Sequence, residues 1–294
     1  MKAVLLGTAA GGGFPQWNCA CGPCSGVRAG RLTARSQDCL AVSGDVENWW
    51  LVNASPDLRA QLVATPQLAA GPGPRDTPLR GVLFTDAELD HTLGLLTLRG
   101  AAGMRVYAPA TVLHAMREDF DQRTVLDRYA EWTWRQVAPE QPFELTGGLV
   151  VTAFPISGKR PKYTGESTAE GHWVVAYRIA DPKTGGVLLY APCLANWPSG
   201  FDDLVSGVDV VLLDGTFYAG SEMGTATGRS SGQAAMGHLP ISQSLPELRR
   251  HPGVRRIYTH LNNTNPVLDP DSAESAKLRE AGVEVPPDGT LIEL

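Results

Sequence analysis

Residues Gly81–Arg99 restrict the fold of this chain more than any other stretch. Gly81–Phe84 is a short apolar run typical of a buried strand, and the leucines between Thr92 and Arg99 recur with helical spacing. Between them lie four potential metal ligands within six residues, namely Asp86, Glu88, Asp90 and His91. A buried strand that leads directly into a helix is typical of α/β proteins, which usually place their chemistry on that turn. The stretch therefore predicts an α/β fold with a polar site after this strand.

The acidic cluster has two interpretations. If the turn is extended, residues 86, 88 and 90 point to one side, and His91 adds an imidazole beside them. Three carboxylates in one pocket repel one another, so a cation is their natural partner. The alternative is a solvated acidic turn that caps the following helix. On spacing alone, both interpretations stand.

Composition narrows the classes of function. The 294 residues carry a formal net charge of −6 without a run of basic residues, which argues against nucleic acid as the main partner. The N-terminal residues 1–13 contain one lysine and a short apolar run that ends in glycines, so they predict a first strand and no signal peptide or membrane span. We therefore expect a cytoplasmic protein, and the five cysteines fit metal binding in a reducing compartment better than disulfides.

Short strands and helices alternate along the chain. The first half predicts strands at 2–6, 40–43, 49–53 and 81–85 and a helix at 57–63, and a row of strands follows between 132 and 190. Alternation then resumes, with helices at 201–206, 243–250 and 272–281 and strands at 208–213, 256–259 and 291–293. This order predicts an αββα sandwich, with two packed mixed β-sheets and helices outside, in a single domain of residues 1–294.

A second candidate site is a cysteine knuckle at residues 17–25. Cys19, Cys21 and Cys24 follow the spacing C-x-C-x-x-C, and a loop containing Gly22 and Pro23 can wrap three thiolates around one tetrahedral zinc ion. The fourth ligand then comes from Cys39, a histidine or an amide oxygen. The alternative is a loop of free thiols.

Two histidines late in the chain lie in distinctive surroundings. His260 ends an apolar strand, which is a position suited to a metal ligand, although a single strand-end histidine is more often structural. His238 follows a glycine-rich loop and precedes a helix. We expect His114 and His251 to be ordinary helix and surface residues, and His172 is undecided.

Several runs together resemble one known family. The residues 86–95 read D-x-E-x-D-H-x-x-G-L, which is similar to the H-x-H-x-D-H-x-x-G-L signature of the metallo-β-lactamase superfamily. More closely, GTAAGGGFPQWNCACGPC, NASPDLRAQL, DAELDHTLGLL, LLDGTFY, MGHLPIS and THLNNTNPVLD together resemble the pyrroloquinoline quinone (PQQ) biosynthesis protein B family. The resemblance extends from residue 4 to the C-terminus and is weak between about residues 110 and 171.

The departures from the superfamily pattern limit what the resemblance implies. The superfamily's first two histidines are replaced by Asp86 and Glu88, no histidine falls at 155–158, and no bridging aspartate falls at 189–193. A dinuclear zinc hydrolase is therefore not expected. The resemblance leaves Asp90, His91 and His260 as ligands of one metal, and two histidines with one carboxylate form a set associated with non-haem Fe(II), although zinc also binds it.

The remaining site residues follow from the same resemblance. Asp86 and Glu88 would lie beside the metal as further ligands or proton-transfer groups, and Asp214 and His238 would line the site as orienting or proton-transfer residues. A related phosphodiesterase completes its cysteine knuckle with a histidine, and the corresponding residue here is Asn263, whose amide oxygen is then a candidate fourth zinc ligand. Independently of the resemblance, five basic residues could meet an anionic substrate or be ordinary surface charges, namely Arg59, Lys159, Arg160, Lys162 and Arg229.

The family resemblance implies an enzyme. It would be an iron-dependent oxygenase that hydroxylates the tyrosine ring of a Glu-Tyr unit derived from a precursor peptide, with Fe(II) or zinc at the active site and a separate structural zinc. One alternative is a non-catalytic carrier or transport factor for PQQ or an intermediate, and a weaker one is a phosphodiesterase-like hydrolase. No membrane or nucleic-acid partner is expected, and a homodimer is left open.

Overall fold

Apolar runs punctuated by glycine and proline determine where the strands lie in the computed structural model, which describes residues 1–227 and 236–294. Every residue of Trp49–Val52 is buried, as expected for a strand covered on both faces. The strands in chain order are β1 (Lys2–Gly7), β2 (Cys39–Ser43), β3 (Trp49–Val52), β4 (Leu79–Leu83), β5 (Arg105–Ala108), β6 (Thr133–Gln136), β7 (Phe143–Glu144), β8 (Val150–Ser157), β9 (Val174–Ala180), β10 (Val187–Ala191), β11 (Val210–Asp214), β12 (Arg255–Thr259), β13 (Val283–Glu284) and β14 (Leu291–Glu293).

The helices are short, and many of them begin next to glycine, proline or a capping side chain. For example, the Ser272 side chain accepts a hydrogen bond from the Ser275 amide at the start of the last helix. The α-helices are α1 (Gly22–Arg28), α2 (Leu58–Ala64), α3 (Leu89–Thr92), α4 (Ala110–His114), α5 (Gln122–Asp127), α6 (Phe201–Ser206), α7 (Glu222–Thr227), α8 (Ile241–Leu248) and α9 (Ala273–Glu280). Four 3-10 turns lie at Pro66–Leu68, Leu93–Leu98, Lys162–Thr164 and Pro266–Leu268, and a π turn lies at Ala115–Asp119.

The chain divides into two compact units. Unit 1 comprises Met1–Leu6, Cys39–Gly186 and Gly289–Leu294. Its larger sheet has the order β14-β1-β2-β3-β4-β5-β6, in which β3 to β6 are parallel, and its remaining strands form the antiparallel series β9-β8-β7. Its largest fully buried side chains are those of Trp49, Trp50, Trp173, Tyr177 and Phe84.

Unit 2 comprises Gly7–Asp38 and Val187–Asp288. Its strands run parallel in the order β13-β12-β11-β10. Parallel strands place their carboxyl ends at one edge, so the residues that follow β11 and β12 are brought together there. The buried residues Tyr190, Phe201, Phe217 and Tyr258 form part of its core.

The predicted α/β class and the two mixed sheets are confirmed. The helix predicted from Thr92 instead begins at Leu89 and tightens into a 3-10 turn from Leu93. Its early start is accompanied by a 2.6 Å hydrogen bond from the Ala54 amide to the His91 carbonyl. The sequence interpretation also missed α1, α7 and β13, which are short and lack a clear apolar period. The single-domain assignment stays a prediction.

Candidate metal centre

Asp86 and His91 form a buried pair in unit 1, directly after β4. Asp86 is only 2% exposed, and its two carboxylate oxygens lie 2.8 Å from His91 Nδ1. The same carboxylate accepts hydrogen bonds from the Thr85 hydroxyl at 2.7 Å and from the Glu88 amide at 2.9 Å. Burial alone raises the pKa of a carboxyl group, but the His91 imidazole and these donors outweigh it and lower the pKa of Asp86.

This pairing determines the tautomer of His91. A carboxylate with a lowered pKa is ionised at neutral pH and can only accept, so His91 Nδ1 carries the proton and donates it. The lone pair of the neutral ring is then on Nε2, which is the usual donor atom of a histidine that binds a metal while a carboxylate orients it. Asp86 thus serves as the orienting partner of His91.

Two further contacts hold this pair in place. The Asn53 side chain bonds Thr85 through its Oδ1 to the amide and its Nδ2 to the hydroxyl, each at 3.0 Å. Gly94 lies against the Ala54–Ser55 backbone so closely that an added Cβ would be 1.9 Å from the Ser55 carbonyl oxygen. Only glycine permits this approach, which fixes the helical turn that carries His91.

Glu88, the next acidic residue, pairs with a different side chain. Glu88 Oε1 lies 3.5 Å from Lys159 Nζ, and the two side chains are 33% and 31% exposed. Burial, and then the neighbouring Asp86 charge, raise the pKa of Glu88. Asp90 is half-buried within α3. Three carboxylates on one side require an extended turn, but α3 already begins at Leu89, so Asp86 faces His91 and Glu88 faces Lys159.

Unit 2 contains a second histidine cluster, at the carboxyl ends of β11 and β12. Asp214 is the last residue of β11, and its carboxylate lies 2.7 Å from His238 Nδ1. It also accepts from the Leu194 amide at 2.7 Å and from the amide and hydroxyl of Thr216 at 3.0 and 2.7 Å. Burial opposes ionisation, but His238 and these donors prevail, and the pKa of Asp214 is lowered.

Thr216 connects this carboxylate to His260. The hydroxyl has one proton, which it donates to Asp214, so its 2.7 Å contact with His260 Nδ1 requires the imidazole to donate. His238 likewise donates from Nδ1 to Asp214. The His238 and His260 rings stack at a centroid distance of 5.3 Å, and both have the Nε2 lone pair that metal binding or proton transfer requires.

The backbone of His260 is unusual. The residue follows the last residue of β12 and has φ of +57°, a left-handed conformation that non-glycine residues rarely adopt. Such strain is concentrated at functional sites because the surrounding structure must maintain it. Potential ligand atoms of Asp214, His238 and His260 all lie within 4.8 Å of one another. Because Asp214 and both Nδ1 atoms already share hydrogen bonds, we interpret this group as an orienting network and not as a metal cage of its own.

The three cysteines of the knuckle converge in unit 2. The sulfur atoms of Cys19, Cys21 and Cys24 lie within 4.8 Å of one another. Cys21 directly precedes α1, and Cys24 is buried inside that helix. Asn263 Nδ2 lies 3.3 Å from Cys24 Sγ and 3.7 Å from Cys21 Sγ. The nitrogen of this amide therefore faces the sulfurs, and coordination through its oxygen requires a half-turn of the side chain.

The remaining predicted residues are distributed as follows. His114 lies in α4, and His251 Nε2 pairs with Asp202 at 2.8 Å. The Cys39 thiol donates to the Asn53 carbonyl. Arg229 lies outside the described residues. The sequence interpretation did not single out Asn53, Thr85 or Thr216, although each lies within or beside a quoted run that marked the site.

The chain is similar to known proteins over its full length. Residues 48–261 match the model of the β-lactamase superfamily domain. The chain is 41% identical to a coenzyme PQQ synthesis protein B of Methylobacterium nodulans, with 100% of each chain covered. Among solved structures it is similar to Zn²⁺-bound PqqB from Methylobacterium extorquens, at 37% identity and a TM-score of 0.93 with 100% of both chains covered. It also shares its fold with a diphosphatase of the PhnP family, at 18% identity and a TM-score of 0.71 over 100% of this chain and 97% of that one.

Within the described ranges 1–227 and 236–294, none of the helices combines the length and the apolar character needed to cross a bilayer.

Proposed function

Because the chain belongs to the coenzyme PQQ synthesis protein B family of the β-lactamase superfamily, we propose that it acts in PQQ biosynthesis as an iron-dependent oxygenase. The proposed substrate is a Glu-Tyr unit derived from a precursor peptide. The reaction inserts one atom of O2 into a C–H bond of its tyrosine ring, while an external two-electron reductant and two protons convert the other atom to water. The protein would work in the cytoplasm without a membrane or nucleic-acid partner.

One observation carries the metal-dependent part of this proposal. His91 and His260 each engage a buried oxygen through Nδ1, which leaves Nε2 as the ring atom that would coordinate a metal. With Asp90 as the carboxylate, as the sequence pattern predicts, the donor set suits Fe(II) as well as zinc. Iron supplies the redox chemistry that O2 requires, whereas zinc has none.

The chain's own residues would then orient the substrate and move its proton. His238 has a basic Nε2, and its Nδ1 proton points at an ionised Asp214, which would stabilise the imidazolium after His238 takes the phenolic proton. Lys159 is partly exposed beside Glu88, and it would pair with a carboxylate of the Glu-Tyr unit.

We further propose that Cys19, Cys21 and Cys24 hold a structural zinc ion. Three converging sulfurs form most of a tetrahedral site, and Asn263 is positioned to complete it after rotation of its amide. The zinc would then order residues 17–25 as part of the fold.

The central test compares two metals in one protein. Protein reconstituted with Fe(II) without oxygen, and supplied with an added two-electron reductant, should convert a Glu-Tyr substrate to a product one oxygen atom heavier after O2 is admitted, and the zinc form under the same conditions should not. His91→Ala and His260→Ala should abolish this product, whereas His114→Ala should retain it. Equal turnover by the zinc form would exclude the oxygenase proposal, and tight substrate binding without turnover by the iron form would favour the carrier alternative.

A further inference from the structure

A separate cavity of about 680 Å³ lies entirely within unit 2. Its walls come from residues 31–35, the 3-10 turn Pro266–Leu268, helix α9 and residues 282–287. Cavities of roughly 300–1,000 Å³ hold small organic ligands in proteins. None of the candidate metal-site residues lines this cavity.

The lining combines apolar side chains with three arginines. Leu32, Leu268, Leu278 and Val283 supply apolar surface, and two prolines at 286–287 stiffen one wall. Arg31, Arg35 and Arg279 supply positive charge, and Glu284 is the acidic member of the lining. An apolar wall beside several cations is typical of a site for an organic anion.

The charges of this lining do not cancel. Glu284 is already paired with Arg255, whose guanidinium donates hydrogen bonds to both carboxylate oxygens at 2.8 Å. Arg35 lies beside Asp288, and its guanidinium donates to the Pro286 carbonyl at 2.6 Å. Arg31 and Arg279 form no ion pair among residues 1–227 and 236–294.

The two arginines retain donors for a ligand. Arg279 uses one N–H group, on Nη1, for a 2.7 Å bond to the Pro270 carbonyl, and its guanidinium has four further N–H donors. Arg31 is exposed and lines the same cavity. Because guanidinium groups bind carboxylate and sulfonate oxygens through paired N–H donors, an acidic ligand group is the natural complement of these residues.

We propose that this cavity binds a small molecule with a flat or apolar body and at least one carboxylate or sulfonate group. The anionic group lies between Arg31 and Arg279, and the body lies against Leu268, Leu278 and Val283. The inference is independent of the proposed oxygenase, since it uses a different part of unit 2.

The test uses a fluorescent probe of this chemistry on the full-length protein. Anilinonaphthalenesulfonate carries the sulfonate, and phenylnaphthylamine has the same aromatic body without it. The proposal predicts saturable binding of the sulfonate, and Kd roughly tenfold or more higher for Arg31→Gln combined with Arg279→Gln, the loss expected for hydrogen bonds to a charged group. Arg128→Gln, an exposed change outside the lining, should leave Kd unchanged.

A second variant locates the probe. Thr33 is exposed and lines the cavity, so Thr33→Trp should fill the cavity and abolish sulfonate binding, whereas Thr33→Ser should not. Circular dichroism checks that each variant is folded. Equal affinity for the neutral probe, or sulfonate binding unaffected by both the arginine pair and Thr33→Trp, would overturn the assignment.

Discussion

Three histidine rings are each held at Nδ1 by a buried polar group. His91 donates to Asp86, His238 donates to Asp214, and His260 donates to the Thr216 hydroxyl, which itself donates to Asp214. The consequence is the same each time, because a fixed Nδ1 proton leaves the basic lone pair on Nε2. Small oxygen-bearing side chains therefore determine which atom of each ring is available for chemistry.

Asp86→Asn tests this arrangement at His91. The amide still accepts one hydrogen bond but loses the charge that favours the Nδ1 tautomer, so we expect metal affinity to fall roughly 10–100-fold, as for other partners of metal-binding histidines. Competition with a calibrated chelator measures this. Asp271→Asn, an exposed change, is the matched control. Unchanged affinity in Asp86→Asn, in a protein where His91→Ala loses the metal, would refute the orienting role.

Sequence reasoning found the histidines but not what orients them. His91 and His260 are recognisable because they lie within short distinctive runs. By contrast, Asn53 and Thr216 are common residue types whose role depends on hydrogen-bond partners 32 and 44 positions away. Asp86 was expected beside the metal because its superfamily counterpart is a histidine, and its actual contact depends on where α3 begins.

Among the elements, helix α7 begins with a buried acid. Glu222 accepts hydrogen bonds from the Tyr218 amide and the Thr264 hydroxyl, each at 2.6 Å, and is 9% exposed. Burial outweighs these donors and raises the pKa of Glu222 to about 7. The helix start is thus joined to the loop after β12 by a group that titrates near neutral pH.

The raised pKa of Glu222 predicts how the free energy of unfolding changes with pH. A glutamate titrates near 4.3 in the unfolded chain, so between that pH and about 7 the folded state holds a proton that the unfolded state has lost. The free energy of unfolding should therefore fall as the pH rises through this window, by up to roughly 3 kcal/mol.

The matched variant is Glu222→Gln, which stays neutral at every pH. Urea unfolding at pH 5 and pH 8 should show similar stability of the two proteins at the lower pH and greater stability of the variant at the higher pH. Parallel pH dependence of wild type and variant would show that Glu222 is not the group responsible.

Helix α1 and the loop before it carry the three cysteines of the knuckle. Their zinc binding can be tested separately from the oxygenase reaction. Burial raises the pKa of the Cys21 thiol to about 12 in the metal-free protein, so a bound cation is needed to make it a thiolate at neutral pH. Free zinc at about 100 times its dissociation constant should raise the free energy of unfolding by about 2.7 kcal/mol.

Zinc content and thermal unfolding check this prediction together. Cys19→Ser should lower both the bound zinc and the unfolding temperature, whereas the exposed change Asp271→Asn, outside the knuckle, should change neither. Asn263→His, which supplies an imidazole in place of the amide, should tighten zinc binding. An unfolding temperature that does not respond to zinc in the wild-type protein would remove the structural role.

At the scale of the whole molecule, the family and the fold were predictable from the sequence. The quoted runs indicated the family, which the full-length relatives confirm, and the alternation of strands and helices indicated two mixed sheets. The spacing of apolar residues and the positions of turn-forming residues can be read from short stretches of sequence. For this reason the fold class could be predicted from them. The cavity beside Arg31 and Arg279 was not predictable, because it depends on how segments more than 200 residues apart in the chain pack within unit 2.

The proposed reaction of this protein uses O2 to oxygenate a tyrosine ring. The most direct measurement is a reaction of the Fe(II)-loaded protein with a Glu-Tyr substrate and an added reductant under O2 enriched in the heavy oxygen isotope, in ordinary water, followed by mass spectrometry of the product. We predict that the added oxygen atom carries the heavy isotope. The reciprocal experiment, with ordinary O2 in water enriched in the heavy oxygen isotope, should give an unlabelled product. Label that comes from water, or no added oxygen at all, would contradict the account.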